Sequence, residues 1–256
     1  MLRSLRCAVT ALTLLLIAVE VNAQWLNYPT PGIPRTPDGK PDLSAPAPRT
    51  ADGKPDVSGL WQPNAGGYLL NITADLQPNE FQPWAAALAK RRIDDFGRDN
   101  PTTWCLPPGP TVRAMAAMAK IINTGRSIVV LHESRVLDRE VFMDGRPLPS
   151  DPNPTWMGYS VGHWDGSTLV VETTHLAAAT ITNNGLNHSD KVRVVERFRL
   201  GEDGQTLLST QWFEDPEVLD TPGGRFIAWK RKPGQYVNPY ECDPTLIENY
   251  KDAQRP

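Results

Sequence analysis

Four side chains in two neighbouring stretches offer the clearest chemistry in this sequence. Tyr159, His163 and Glu172 lie within Tyr159-Ser-Val-Gly-His-Trp-Asp-Gly-Ser-Thr-Leu-Val-Val-Glu172, and Glu196 lies within Lys191-Val-Arg-Val-Val-Glu-Arg-Phe-Arg199. A phenol, an imidazole and two carboxylates are groups of acid–base catalysis. The first stretch reads as two strands flanking Asp165-Gly166, the dipeptide favoured in a two-residue type I′ loop. That loop sets Trp164 opposite Ser167, His163 opposite Thr168, Val161 opposite Val170 and Tyr159 opposite Glu172. Period two then puts Tyr159, Val161, His163, Thr168, Val170 and Glu172 on one face. Ser160, Gly162, Trp164, Leu169 and Val171 fall on the other. With the first face inward, Tyr159, His163 and Glu172 line a cavity and can move protons on a small ligand. With it outward, Tyr159 and Glu172 are a solvated cross-strand pair worth under about 1 kcal/mol. The sequence leaves both orientations open.

Glu196 shares the face of its strand with Val192, Val194, Phe198 and Leu200. A carboxylate on an apolar face costs several kcal/mol unless it is paired or protonated. One reading is a general acid or base with a raised pKa. The other is a buried ion pair with an Arg such as Arg135 or Arg139 on a neighbouring strand. Further ligand-binding candidates are Asp144, Arg146 and Trp156, in a Pro-rich loop that could form the lip of a pocket, together with His132 and His188. His188 sits in Asn187-His-Ser-Asp190, a loop and therefore an exposed position. The eight tryptophans suit either a core or stacking on a flat ring.

Several chemistries find no support. His132, His163, His175 and His188 are the only histidines, and none of their spacings makes a compact ligand pair, so no metal is expected. No Gly-rich phosphate loop, dinucleotide fingerprint or Gly-x-Ser-x-Gly elbow occurs, so no cofactor and no serine nucleophile are expected.

The elements that must position these groups follow from the chain order. Met1-Leu-Arg-Ser-Leu-Arg6, the apolar run Ala8–Val21 and Val21-Asn-Ala23 fit a signal peptide over 1–23. The apolar run is short for a membrane span, so none is expected after cleavage, and the expected location is periplasmic or secreted. Removing residues 1–23 takes away Arg3, Arg6 and Glu20, leaving 24 basic and 28 acidic side chains, a net charge of −4. That balance argues against nucleic acid as a partner. Cys105 and Cys242 remain, and in an oxidising compartment their simplest state is a disulfide.

Residues 24–56 read as a Pro-rich extended arm with a 14-residue repeat, Pro34-Arg-Thr-Pro-Asp-Gly-Lys-Pro-Asp-Leu-Ser44 and Pro48-Arg-Thr-Ala-Asp-Gly-Lys-Pro-Asp-Val-Ser58. Its Asp-Gly turns and prolines suit turns joined by extended pieces. The arm either wraps the domain or docks a protein partner. Residues 57–256 form the expected domain. One helix is predicted over 79–96, capped by Asn79, with Phe81, Trp84, Leu88 and Phe96 as its apolar stripe. Tyr68–Ile72 is predicted as a short strand and Arg113–Lys120 as one or two helical turns. From Ile121 onward eight strand-like runs alternate with Gly-containing turns and show no βαβ rhythm.

The fold class expected is therefore mainly β: an antiparallel meander closed into a lipocalin-like barrel, with one external helix and the N-terminal arm. Gly59-Leu60-Trp61 resembles the Gly-x-Trp that opens the first strand of lipocalins. Pro55–Trp61, Cys105–Gly109, Asp144-Gly-Arg-Pro-Leu-Pro149, Asp151-Pro-Asn-Pro-Thr-Trp156 and Gly158–Thr174 together resemble an uncharacterised family of exported bacterial proteins. The resemblance spans most of the chain beyond residue 23 and implies an exported β-rich protein, with no activity attached. The expected function is binding of a small, partly apolar or aromatic ligand. The alternatives are an acid–base enzyme in the same cavity and a structural or docking protein acting through the arm.

Overall fold

A computed structural model describes residues 34–42, 44–64, 77–94, 104–107, 109–110, 118–133, 137–180, 186–238 and 241–245. The strands are β1 (Gly59–Pro63), β2 (Ala119–Asn123), β3 (Ser127–His132), β4 (Leu137–Phe142), β5 (Tyr159–Asp165) and β6 (Thr168–Thr174). They continue as β7 (Ala179–Thr180), β8 (Asn187–His188), β9 (Arg193–Leu200), β10 (Thr206–Glu214) and β11 (Gly223–Arg231), and the α-helix α1 spans Pro83–Asp94. Nine strands close into a barrel in the order β1-β11-β10-β9-β6-β5-β4-β3-β2, while β7 and β8 pair separately. Closure leaves the barrel no free edge. Every neighbour in the barrel is antiparallel except β4 and β5, which pair in parallel through Val141↔Ser160 and Phe142↔Val161. Pro147, Pro149, Pro152 and Pro154 in the connection favour extended chain, long enough to return β5 to the end where β4 began.

The β5–β6 hairpin turns one residue later than Asp165-Gly166. Asp165 pairs with Thr168, so Gly166-Ser167 is the loop. Gly166 has φ 57° and Ser167 stays at negative φ, which fits a turn with Gly in its first central position. Each pair therefore shifts by two: Tyr159 faces Thr174, Val161 faces Glu172 and His163 faces Val170. An even shift leaves every side chain on its original face. Ser160, Leu169, Val171 and Thr173 are buried, and they mark the inward face.

Two apolar clusters hold the molecule. Trp61, Ile128, Val141, Leu169, Val171, Leu207, Ile227 and Trp229 pack inside the barrel with Val57 of the arm. Trp61 is fully buried, and the Arg231 guanidinium lies 4.3 Å from its ring centroid. A side chain at Gly59, which has φ 128°, would put its Cβ 2.7 Å from Arg231 Nη1, so the first residue of β1 must stay bare. The second cluster joins Ala85 of α1 to Leu176, Leu186, Val192, Val194, Phe213, Val218 and Leu219.

Helix α1 begins at Pro83, four residues beyond the expected cap. Asn79 lies instead in a short 3-10 turn, Pro78–Glu80; Pro83 has no N–H to donate and restricts Gln82, so the chain between turn and helix is extended, with Phe81 bridging Leu219. The shifted start also changes the buried face. Ala85 is buried and Trp84 is 48% exposed, with its indole N–H bonded to Glu217 O at 3.0 Å. Residues 95–103 lie outside the described residues, as do the predicted strand Tyr68–Ile72 and residues 111–117. Ala119 and Lys120, expected to be helical, open strand β2.

Both copies of the arm repeat fold in the same way. Arg35 bridges Pro41 and Arg49 bridges Pro55. Thr36 and Thr50 N–H each donate to the Lys carbonyl four residues on at 2.9 Å, and Arg35 and Arg49 each donate to the following Gly carbonyl at 2.7 Å. The second copy closes one end of the barrel: Val57 is buried, its carbonyl accepts from Trp61 Nε1 at 2.9 Å, and Ser58 O accepts from Arg231 Nη1 at 2.7 Å. The expected disulfide joins Cys105 to Cys242, with Cα atoms 5.7 Å apart. It fastens the loop whose Pro110 carbonyl accepts from Gln211 Nε2 inside the barrel at 2.8 Å. Among the described residues no helix is long and apolar enough to cross a membrane.

Candidate functional site

The barrel wall separates the four acid–base candidates. Tyr159, His163 and Glu172 stand on its outer face, and Glu196 on its inner face. Tyr159 donates to Asn153 O at 3.3 Å and meets the edge of His175, their centroids 6.3 Å apart. His163 is exposed. Glu172 accepts from Arg193 Nε at 2.8 Å at the surface. Of the two orientations the sequence allowed, the outward one holds, because Leu169 and Val171 claim the interior. No single acid–base set is assembled from these four residues.

Inside, Glu196 is fully buried, with its Oε2 2.5 Å from Arg139 Nη2. The pair with Arg139 is one that the sequence allowed, but the neighbouring strand expected for it is not where Arg139 stands. Strands β5 and β6 lie between β4 and β9, and the guanidinium reaches past both. On the way Arg139 Nε donates to Ser160 Oγ at 3.2 Å and Nη2 donates to Thr173 Oγ1 at 2.7 Å. Gln211 Nε2 donates to Glu196 Oε1 at 3.1 Å. Gln211 pairs in register with both Glu196 and Arg225, so these three form a row across β9, β10 and β11. Arg225 is buried too, and burial pushes its guanidinium down to about 9 while Glu196 draws it back up. Arg139 and Arg225 thus both interact with this interior carboxylate. Arg135, the other expected partner, lies outside the described residues.

Among the described residues the barrel interior is closely filled around Trp61 and Trp229. A cavity of about 30 Å³ remains between Trp61, Ile121, Val130, His132, Phe198 and Trp229, next to Arg139. A single water needs roughly 10–15 Å³ on this measure, so the cavity suits a water or two. A larger hollow of about 560 Å³ lies at the barrel end closed by the second arm repeat. Asp52, Asp56 and Ser58 of the arm face Asn123, Met143 and Trp164 of the rim across it. Trp164 has inward parity but is only half-buried, because β5 ends one residue beyond it. Hydrogen bonding from the Thr50 hydroxyl lowers the pKa of Asp52 and keeps it ionised.

The other candidates scatter. Asp144 and Arg146 bind each other at 2.7 Å on the surface, and Arg146 lies 3.9 Å over the Phe142 ring. That pairing holds the Asp144 carboxyl down at about 2. Trp156 is half-buried in the same loop. His132 is buried in the wall of the small cavity. His188, expected on an exposed loop, is 1% exposed in strand β8, with Nδ1 2.9 Å from Ser189 O. The loop reading fails because Ser189 is anchored from both N–H and hydroxyl by buried Asp215, which draws the segment inward. Among the described residues no group of three or more His, Cys, Asp or Glu is placed to hold a metal ion.

Burial lowers the pKa of His188 below its ordinary value. The unfolded chain therefore takes up this proton first as pH falls, and stability is full above the ordinary value of 6.5 and declines below it. Urea unfolding of His188→Gln between about pH 7.5 and 5 is expected to show a flatter decline than the parent. Identical slopes would exclude His188 as the source.

Comparison of the chain with protein-family models and with curated proteins finds no match in either.

Proposed function

We propose that this chain is an exported lipocalin-like barrel that binds a small, partly apolar or aromatic ligand at the mouth framed by its second arm repeat. The contrast in room carries the reading. The mouth hollow, about 560 Å³, falls within the roughly 300–1,000 Å³ of typical ligand sites, and the cavity that the described residues enclose beside Trp61 and Trp229, about 30 Å³, does not. Trp164 and Met143 offer an apolar wall, and Asp52 and Asp56 offer carboxylates opposite. An aromatic ring carrying an amine matches both halves, with stacking or cation–π contact on the indole and an ion pair to the acids. The disulfide supports an oxidising compartment, in keeping with the signal-like first 23 residues and the resemblance to exported bacterial proteins.

Phenethylamine, benzyl alcohol and phenylacetate test the reading together. Phenethylamine is expected to raise the melting temperature most and phenylacetate least. Trp164→Ala is expected to weaken phenethylamine binding about tenfold, the loss of one well-packed aromatic contact. A flat response across the panel, or equal binding by the variant, would remove the mouth as the site.

A second reading, docking through the arm, draws on the first repeat, which is prefolded like the second yet mostly exposed. Deleting residues 34–47 would then abolish partner capture and leave the barrel folded. The acid–base alternative needs groups that the wall holds apart.

A further inference from the structure

We propose a second binding site, for an oligosaccharide, on the outer wall formed by β9, β10 and β11. The wall carries an open groove of about 810 Å³ lined by Arg193, Arg197, Thr210, Trp212, Gly224 and Phe226. Trp212 is 48% exposed and Phe226 58%, two of the five large apolar side chains that stand exposed among the described residues. Their registers, Trp212↔Gly224 and Thr210↔Phe226, make them diagonal neighbours on one outward face. Diagonal residues on a sheet lie about 7–8 Å apart, so the rings form one apolar strip.

The Trp212 ring is laid down and held. A Cβ at Gly224 would sit 3.0 Å from Trp212 Cε3 and 3.4 Å from Cζ3, so the bare glycine receives one face of the indole. The indole N–H donates to Glu214 Oε1 at 3.4 Å. About half of the side chain stays exposed to solvent. Beside it, Arg193 is fixed by Glu172 at 2.8 Å and by Glu214 at 3.6 Å. The strip is thus flanked by hydrogen-bond donors and acceptors in fixed positions.

That combination selects the ligand class. A pyranose has a flat C–H face for the indole and a rim of hydroxyls that both donate and accept, which Arg193, Glu172, Glu214 and Thr210 can answer. A peptide strand has no edge to join, because the barrel is closed. The groove is open along the sheet, so it admits a chain of sugars rather than one ring.

The site lies apart from the mouth, and its test is independent of it. The full-length disulfide-bonded chain would be run in native gels containing laminarin, xylan, hydroxyethyl cellulose or glycol chitin. At least one polymer is expected to retard it. Trp212→Ala is expected to weaken that binding about tenfold, and Phe226→Ala less. Phe226→Ala should keep the parent melting temperature, since its ring is largely exposed, and Trp212→Ala should stay folded with only a small drop. Trp164→Ala, which alters the mouth, should be retarded like the parent, and phenethylamine should not compete. Retardation by none of the four polymers, or undiminished retardation of Trp212→Ala, would overturn the proposal.

Discussion

Glu196→Ala is expected to destabilise the barrel by about 3–5 kcal/mol, the cost of breaking a buried ion pair from one side. Glu196 is fully buried and Arg139 is 5% exposed, so neither charge can turn to water. Removing the carboxylate strands Arg139 and also takes away the charge that favours Arg225 in its cationic form. The penalty therefore arises from the Arg139 cation that stays buried after its carboxylate has gone, more than from the attraction the carboxylate supplied. Replacing both partners separates the two effects. Arg139→Met with Glu196→Leu should recover part of the loss, and adding Arg225→Met should recover more, because the guanidinium that Glu196 favoured in its cationic form goes as well. Urea midpoints of the single, double and triple variants measure the series. A triple variant no more stable than Glu196→Ala would show that the pair contributes by geometry and not by compensating charge.

Breaking the disulfide by Cys105→Ser with Cys242→Ser is the second large effect. The cysteines are 137 positions apart. Closing a loop of that length removes enough unfolded-state entropy to be worth roughly 4–5 kcal/mol in the chain-entropy model. The barrel clusters contain neither cysteine, so the variant should still fold, with its urea midpoint lowered. Loosening should concentrate at the loop around Pro110, and hydrogen exchange at the Gln211 side-chain amide, which donates to Pro110 O, should speed up. Equal midpoints for oxidised parent and double serine variant would mean that the link constrains nothing.

The barrel was legible because its strands follow period two between Gly-marked turns, and the disulfide because only two cysteines remain after residue 23. The faces of the β5–β6 hairpin were also legible, since a two-residue register shift preserves them. Which face points inward was not, because that depends on what closes over each side. Glu196 announced itself as a charge among Val192, Val194, Phe198 and Leu200. Its partner Arg139 was one of the two arginines named for it, but not the route: Arg139 reaches across the interior past two strands, and no spacing along the chain records such a reach. Arg225 escaped for a simpler reason. Pro222-Gly223-Gly224 has the composition of a turn, and only the start of β11 at Gly223 puts Arg225 in period with Ile227 and Trp229. Helix α1 lost its expected stripe because Pro83 moved the start and turned Trp84 outward. The mouth hollow was hidden from sequence because half its lining comes from the arm, which the repeat showed as turns but not as a lid.

The most direct test of where ligand enters uses the indole N–H signals of the tryptophans in a ¹⁵N-labelled chain titrated with phenethylamine. Trp61 donates to Val57 O and Trp229 to Ser209 Oγ inside the packed barrel, while Trp164 borders the mouth. The Trp164 signal is expected to move with added ligand while those of Trp61 and Trp229 stay in place. Movement of the two interior signals with Trp164 unchanged would put the ligand inside the barrel and contradict a mouth site.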